Sequence, residues 1–133
     1  MKEFFGLEVP FLDLIGVSSE HWEPGKTTVS LRPRPDLTNH FGIFHGGVLA
    51  TLLDVAMASA ARSLYPEAAG VVTVDMSLQY MRPASGTLQA EGRVVQSGRS
   101  TVFCEADLRD EAGQLLAKAI GTFKVRERAG GEA

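Results

Sequence analysis

Apolar and polar positions follow two different periods along this chain, and the change of period divides it. From residue 46 onward the sequence GGVLATLLDVAMASAA is apolar nearly all round and made mostly of Ala, Leu, Val and Met. It predicts a helix over about 46–64, with Pro66 and Gly70 just beyond its end. Downstream the period becomes two. Val72, Val74, Met76, Leu78 and Tyr80 alternate with Thr73, Asp75, Ser77 and Gln79. A second strand spans 88–96 and is ended by Ser97-Gly98-Arg99. Val102, Cys104, Ala106 and Leu108 share one face of a third. After a hairpin turn at Asp110-Glu111-Ala112-Gly113, the residues Leu115, Ala117, Ala119, Gly121, Phe123 and Val125 share one face of a fourth. Upstream, 15–22 and 27–32 read as two strands around Pro24-Gly25, residue types suited to the central positions of a type II turn. Residues 1–14 read as a short amphipathic segment carrying Phe4, Phe5, Leu7, Phe11 and Leu12. Residues 37–44 read as a loop, and 127–133 as a polar, frayed tail.

The elements are thus a hairpin, one long apolar helix and four further strands. A helix with so little polar surface must be covered, so the sheet has to curl around it. The expected class is α+β. At 133 residues the chain fits one domain, 1–133. A net charge of -3 gives no electrostatic case for nucleic acid. Cys104 is the single cysteine, which excludes an internal disulfide and any cysteine-cluster metal site. His21, His40 and His45 lack helical metal-ligand spacing, so no metal is expected. Residues 1–17 mix Lys2, Glu3, Glu8 and Asp13 with apolar side chains and carry no signal-peptide core. No run is long and apolar enough for a membrane span. The expected compartment is the cytoplasm.

One charge interrupts the apolar pattern. Between Leu37 and Ala61, Asp54 is the only formally charged side chain. A carboxylate inside an apolar helix is costly to bury without a partner, and its retention beside a glycine-rich helix start points to chemistry. The surrounding residues carry a resemblance. Asn39, then His45-Gly46-Gly47, then Asp54 nine positions after the histidine, then VDMSLQYMRPA over 74–84, resemble the hotdog-fold acyl-CoA thioesterases. The similarity spans about 15–125 and is greatest to the subfamily named for phenylacetic acid degradation. A related branch acting on 4-hydroxybenzoyl-CoA carries Glu where this chain has Asp54. The resemblance implies a long central helix wrapped by a curled five- to six-stranded antiparallel sheet. It further implies hydrolysis of an acyl-CoA, either aromatic (phenylacetyl or hydroxyphenylacetyl) or medium-chain, with no cofactor beyond the coenzyme A of the substrate.

Physical chemistry gives these residues tasks. A helix start offers free backbone N–H groups and partial positive charge, and glycine lets a ligand approach that backbone. Gly46, with Gly47, is therefore expected to hold the thioester carbonyl. Asp54 is expected either to activate water or to attack the carbonyl directly, with a pKa raised by apolar surroundings. Gly46 and Asp54 lie eight residues apart, hence about 12 Å along one helix and about 80° apart around it. Both cannot reach one thioester. If both act, they come from two copies of the chain. A homodimer with shared sites is expected, and the resemblance implies a dimer-of-dimers tetramer. It also implies that Asn39 helps hold the carbonyl, that His45 sits near the sulfur and that Thr73 assists the water. Arg82 beside Pro83, and Arg99 in the Ser97-Gly98-Arg99 turn, are the candidate contacts for coenzyme A phosphates. Cys104, on an inward-looking strand position, reads as core. Phe4, Phe5 and Phe11 read as acyl-pocket, core or interface residues. Two competing functions are an acyl-thioester dehydratase or hydratase, whose proline-rich histidine loop is missing here, and a non-catalytic acyl-CoA-binding hotdog domain, against which Asp54 argues.

Overall fold

The computed structural model describes residues 3–128. The expected amphipathic segment resolves into three short pieces. Strands β1 (Glu3–Phe4) and β2 (Leu7–Glu8) pair as a small hairpin, and helix α1 spans Pro10–Ile15. Pro10 opens that helix, where its missing N–H costs nothing, and Gly16 closes it in the left-handed region at φ 93°. Ile15 therefore ends a helix instead of starting a strand. Strand β3 begins later than its sequence suggests, at Ser18–Glu23, and pairs with β4 (Lys26–Leu31) around a turn whose Gly25 has φ 82°.

Helix α2 runs Gly46–Arg62, two residues shorter than expected. Four strands follow: β5 (Gly70–Tyr80), β6 (Leu88–Ser97), β7 (Thr101–Arg109) and β8 (Leu115–Arg126). The six-stranded sheet is antiparallel throughout, in the order β3-β4-β6-β7-β8-β5. Strand β5 does not pair with β6, its successor in sequence. It pairs with β8, the last strand, and so forms an outer edge of the sheet.

The sheet wraps α2, which packs against β4, β5, β6, β7 and β8. Leu52, Leu53, Ala56, Met57 and Ala60 of the helix are fully buried, together with Val29, Leu88, Ala90, Val102, Ala106, Leu108 and Phe123 of the sheet. Register shifts leave one extra residue at Glu20, Val74, Val95 and Leu116. Such bulges add local twist and bend the sheet around the helix. The closest approach is at Gly92 of β6, where a Cβ would stand 2.2 Å from the Ala56 carbonyl oxygen. Beside it the buried Thr27 hydroxyl donates to the same carbonyl at 2.7 Å. One helix held inside a six-stranded antiparallel sheet is the hotdog arrangement. Among the described residues no helix is long and apolar enough to cross a membrane. Residues 129–133 of the expected tail lie outside the described ones.

Candidate active site at the helix tip and the sheet edge

Asp54 lies half-buried in the middle of α2. Its Oδ1 accepts a hydrogen bond of 2.6 Å from the Thr73 hydroxyl of β5. The bulge makes this bond possible. Strict alternation groups Thr73 with Asp75, Ser77 and Gln79, away from the helix. The extra residue at Val74 shifts the phase, so Thr73 joins the helix-facing set while Val72 and Val74 stay exposed, at 43% and 61%. The expectation that Val72 and Val74 share a face with Met76 and Leu78 fails for this reason. Burial pushes the Asp54 carboxyl above its ordinary value, and the Thr73 hydroxyl, which favours the ionised form, offsets part of that rise.

The tip of α2 forms a second group. His45 is the N-cap, with extended backbone, and its Nδ1 accepts from the Gly47 N–H at 2.8 Å. That bond requires a lone pair on Nδ1 and puts the imidazole proton on Nε2. The Val48 and Leu49 N–H groups donate to the His45 carbonyl. Gly47 is thus occupied. Of the first four helix amides, the Gly46 N–H alone has no partner among the described residues. The Tyr80 hydroxyl, from the end of β5, donates to the Gly46 carbonyl at 3.0 Å. A hollow of about 330 Å³ opens here, bordered by Gly46, Leu49, Tyr80, Met81, Arg82 and Pro83 among others.

Asn39 organises the loop that leads into the helix. Its Oδ1 accepts from the Phe41 N–H at 2.9 Å, and its own N–H donates to the Ile43 carbonyl at 2.8 Å. The side-chain oxygen is committed to the turn, and its NH₂ group makes no bond among the described residues. The loop is pinned further by a bridge between Thr38 and Phe44 and by the Phe44 N–H donating to the Ala84 carbonyl.

The two candidate phosphate contacts lie far apart within one chain. Arg82 lies two residues beyond Tyr80, the last residue of β5. Ser97, Gly98 and Arg99 lie where β6 turns into β7, at the other end of the sheet: the Val125 N–H donates to the Ser100 carbonyl, and Arg126 pairs with Gly70, the first residue of β5. Ten strand steps, about 33 Å, separate the two ends. Both arginines are exposed, and neither makes an ion pair among the described residues. Cys104 is buried, and burial pushes its thiol up to about 12, which leaves it a core residue. Phe4 is core, Phe5 stacks edge-on against Trp22 at 4.7 Å, and Phe11 is exposed. Among the described residues no cluster of His, Cys, Asp and Glu could hold a metal ion.

One polypeptide therefore carries two separate groups, a helix tip with an amide that has no partner among the described residues and a half-buried acid with its hydroxyl partner. The family model for the thioesterase superfamily matches residues 41–117, which include His45, Gly46, Asp54, Thr73, Tyr80 and Arg82. The chain belongs to the thioesterase superfamily. Human acyl-coenzyme A thioesterase 13 is 34% identical, over 74% of this chain and 72% of its own length. A Halobacterium salinarum protein is 37% identical, over 86% of this chain and 83% of its own. A thioesterase family protein from Silicibacter pomeroyi superposes with a TM-score of 0.85 at 26% identity, over 90% of this chain and 91% of that one. This thioesterase-superfamily chain is thus an enzyme with the hotdog fold its sequence suggested. Sequence reasoning missed Tyr80 as a partner of the helix tip. The signal was present in a tyrosine that ends an apolar alternation and immediately precedes Met-Arg-Pro.

Proposed function

We propose that this protein hydrolyses acyl-CoA thioesters at two composite sites formed by a homodimer. The observation that carries the reading is the pairing of an unused amide at Gly46 with a raised, hydroxyl-held carboxyl at Asp54, about 12 Å away on the same helix. The free Gly46 N–H, at the positive end of α2, polarises the thioester carbonyl and holds the oxyanion. Asp54 of the other copy supplies the attack, either directly or through a water it deprotonates. The His45 Nε2–H faces the departing sulfur, and the Asn39 NH₂ assists at the carbonyl. Thr73 fixes the Asp54 carboxyl. The names of relatives, including the acyl-coenzyme A thioesterase above, support coenzyme A as the thiol. So does a Streptococcus mutans structure solved with acetyl CoA, 27% identical with a TM-score of 0.77 over 84% of this chain and 90% of that one. The acyl group is aromatic or medium-chain.

The edge strand supports the two-copy geometry. Strand β5 is eleven residues long, pairs on one side only and exposes Val72, Val74 and Tyr80. A long apolar edge is a template for another strand. A two-fold axis that pairs β5 with its copy in antiparallel fashion lays the start of one strand beside the end of the other. Thr73, Asp54 and Arg99 of one copy then meet Gly46, Tyr80 and Arg82 of its partner. The same operation brings the two distant arginines to one coenzyme.

Release of free thiol from a panel of phenylacetyl-, hydroxyphenylacetyl- and medium-chain acyl-CoAs tests the activity. Asp54→Asn is expected to lower kcat by about 10²–10⁴-fold. Retention of more than a tenth of the activity overturns the assignment of the acid. A single turnover in ¹⁸O-labelled water probes the route: an unlabelled first acid, with the label in Asp54, marks an anhydride that water opens at the Asp54 carboxyl carbon. The panel includes acyl carrier protein thioesters, to compare the two thiol carriers.

A further inference from the structure

We infer that Tyr80 is a positioning residue that acts on His45 through the Gly46–Gly47 peptide, an inference that rests on the thioesterase reading above for its catalytic consequence. Three contacts meet on this one peptide unit. The Tyr80 hydroxyl donates to its carbonyl at 3.0 Å. Its N–H, on the other side of the same amide, donates to the His45 Nδ1 at 2.8 Å. The Tyr80 ring packs against Gly46, its Cζ 3.6 Å from where a Cβ would stand. A donor on an amide carbonyl polarises the amide and strengthens its N–H as a donor. The relay runs from the Tyr80 O–H through the peptide to Nδ1, and leaves the imidazole proton on Nε2. Tyr80 also holds the plane of this peptide, and with it the direction of the neighbouring Gly46 N–H.

The geometry explains why a tyrosine stands here. At 51% exposure its ring fills no core position, so packing alone does not require an aromatic residue. Its hydroxyl is aimed at the helix tip. The strand that supplies it also supplies Thr73, seven residues earlier. Strand β5 therefore braces both half-sites, Asp54 at one end and His45 at the other.

Tyr80→Phe keeps the ring and removes only the donor. The expected result is a fall in kcat of about three- to tenfold, the value of one ordinary hydrogen bond, with KM within about twofold. In the ligand-free protein, ¹⁵N shifts of the His45 ring are expected to move from a single Nε2–H form to a mixture of tautomers. An unchanged ring spectrum overturns the relay, and so does an unchanged kcat. A rise confined to KM also overturns it, because that result marks Tyr80 as a substrate contact. The ring spectrum needs no turnover. If Asp54→Asn proves fully active, the functional reading fails while the tautomer measurement still judges the relay.

Discussion

At the scale of single residues, the role proposed for Asp54 sets stability against reactivity. Its folded-state pKa lies above its unfolded value because burial disfavours the charge. The protonated form is therefore the one the fold prefers. The stabilising contribution is complete below the unfolded pKa and is lost as pH rises through the folded one. At neutral pH the ionised carboxylate costs stability, and Asp54→Asn is expected to raise Tm while lowering kcat as stated above. Each kcal/mol recovered is worth about 3–6 °C in a domain of this size. Calorimetry on the two proteins checks the sign. In the proposed mechanism Asp54 acts in its ionised form, so the acid limb of the pH–rate profile is expected above the ordinary aspartate value of about 3.9. Thr73→Val removes the bond that favours ionisation, so it should move this limb to higher pH and lower kcat by about tenfold, the loss of a hydrogen bond to a charged group.

At the scale of elements, the contact between α2 and β6 fixes where the helix lies. At Gly92 an added methyl would stand 2.2 Å from the Ala56 oxygen and 2.7 Å from the Met57 nitrogen, both backbone atoms that no side-chain rotation can clear. Gly92→Ala is expected to cost about 3 kcal/mol or more, measured by urea unfolding, through displacement of the helix or the strand. The sequence made the helix and the last three strands legible because each carries a sustained period, broken in β6 and β8 only near one end by the bulges at Val95 and Leu116. Gly92 gave no such warning, since a glycine inside a strand pattern says only that something comes close. The sequence also concealed the partner of β5, because pairing with β8 depends on how far the sheet curls. The bulge at Val74 was hidden for a related reason: apolar residues continue on both sides of it, and the phase change shows only once Thr73 is seen against Asp54. In the site, Asp54, His45 and the glycines stood out by residue type and spacing. Which glycine amide is free was not legible, because that depends on the His45 rotamer that occupies Gly47.

At the scale of the whole molecule, the proposed two-fold assembly makes strong claims on a pair of variants. Gly46→Pro removes the free N–H and sets a ring where the thioester carbonyl would approach it. Proline suits the first helical position, and the extended backbone of His45, at ψ 139°, is what a residue before proline requires. Alone it is expected to lower kcat by about 10²–10³-fold. Co-expressed in equal amounts with Asp54→Asn, it should recover about a quarter of the wild-type rate. Half of the dimers are then mixed, and each mixed dimer has one intact site of two. A mixture no faster than its parents excludes sharing. Val74→Lys, on the exposed edge of β5, should yield a folded monomer by light scattering with activity reduced by at least about a hundredfold.

The buried Cys104 gives the folded enzyme a silent background. A thiol held at about 12 and 2% exposed offers no thiolate to a disulfide reagent, so colour in a thiol-release assay comes from coenzyme A alone. The same side chain becomes a clock once the sheet opens. Its rate of labelling, followed in denaturant or with rising temperature, reports how often the β7–β8 region comes apart, without any added probe.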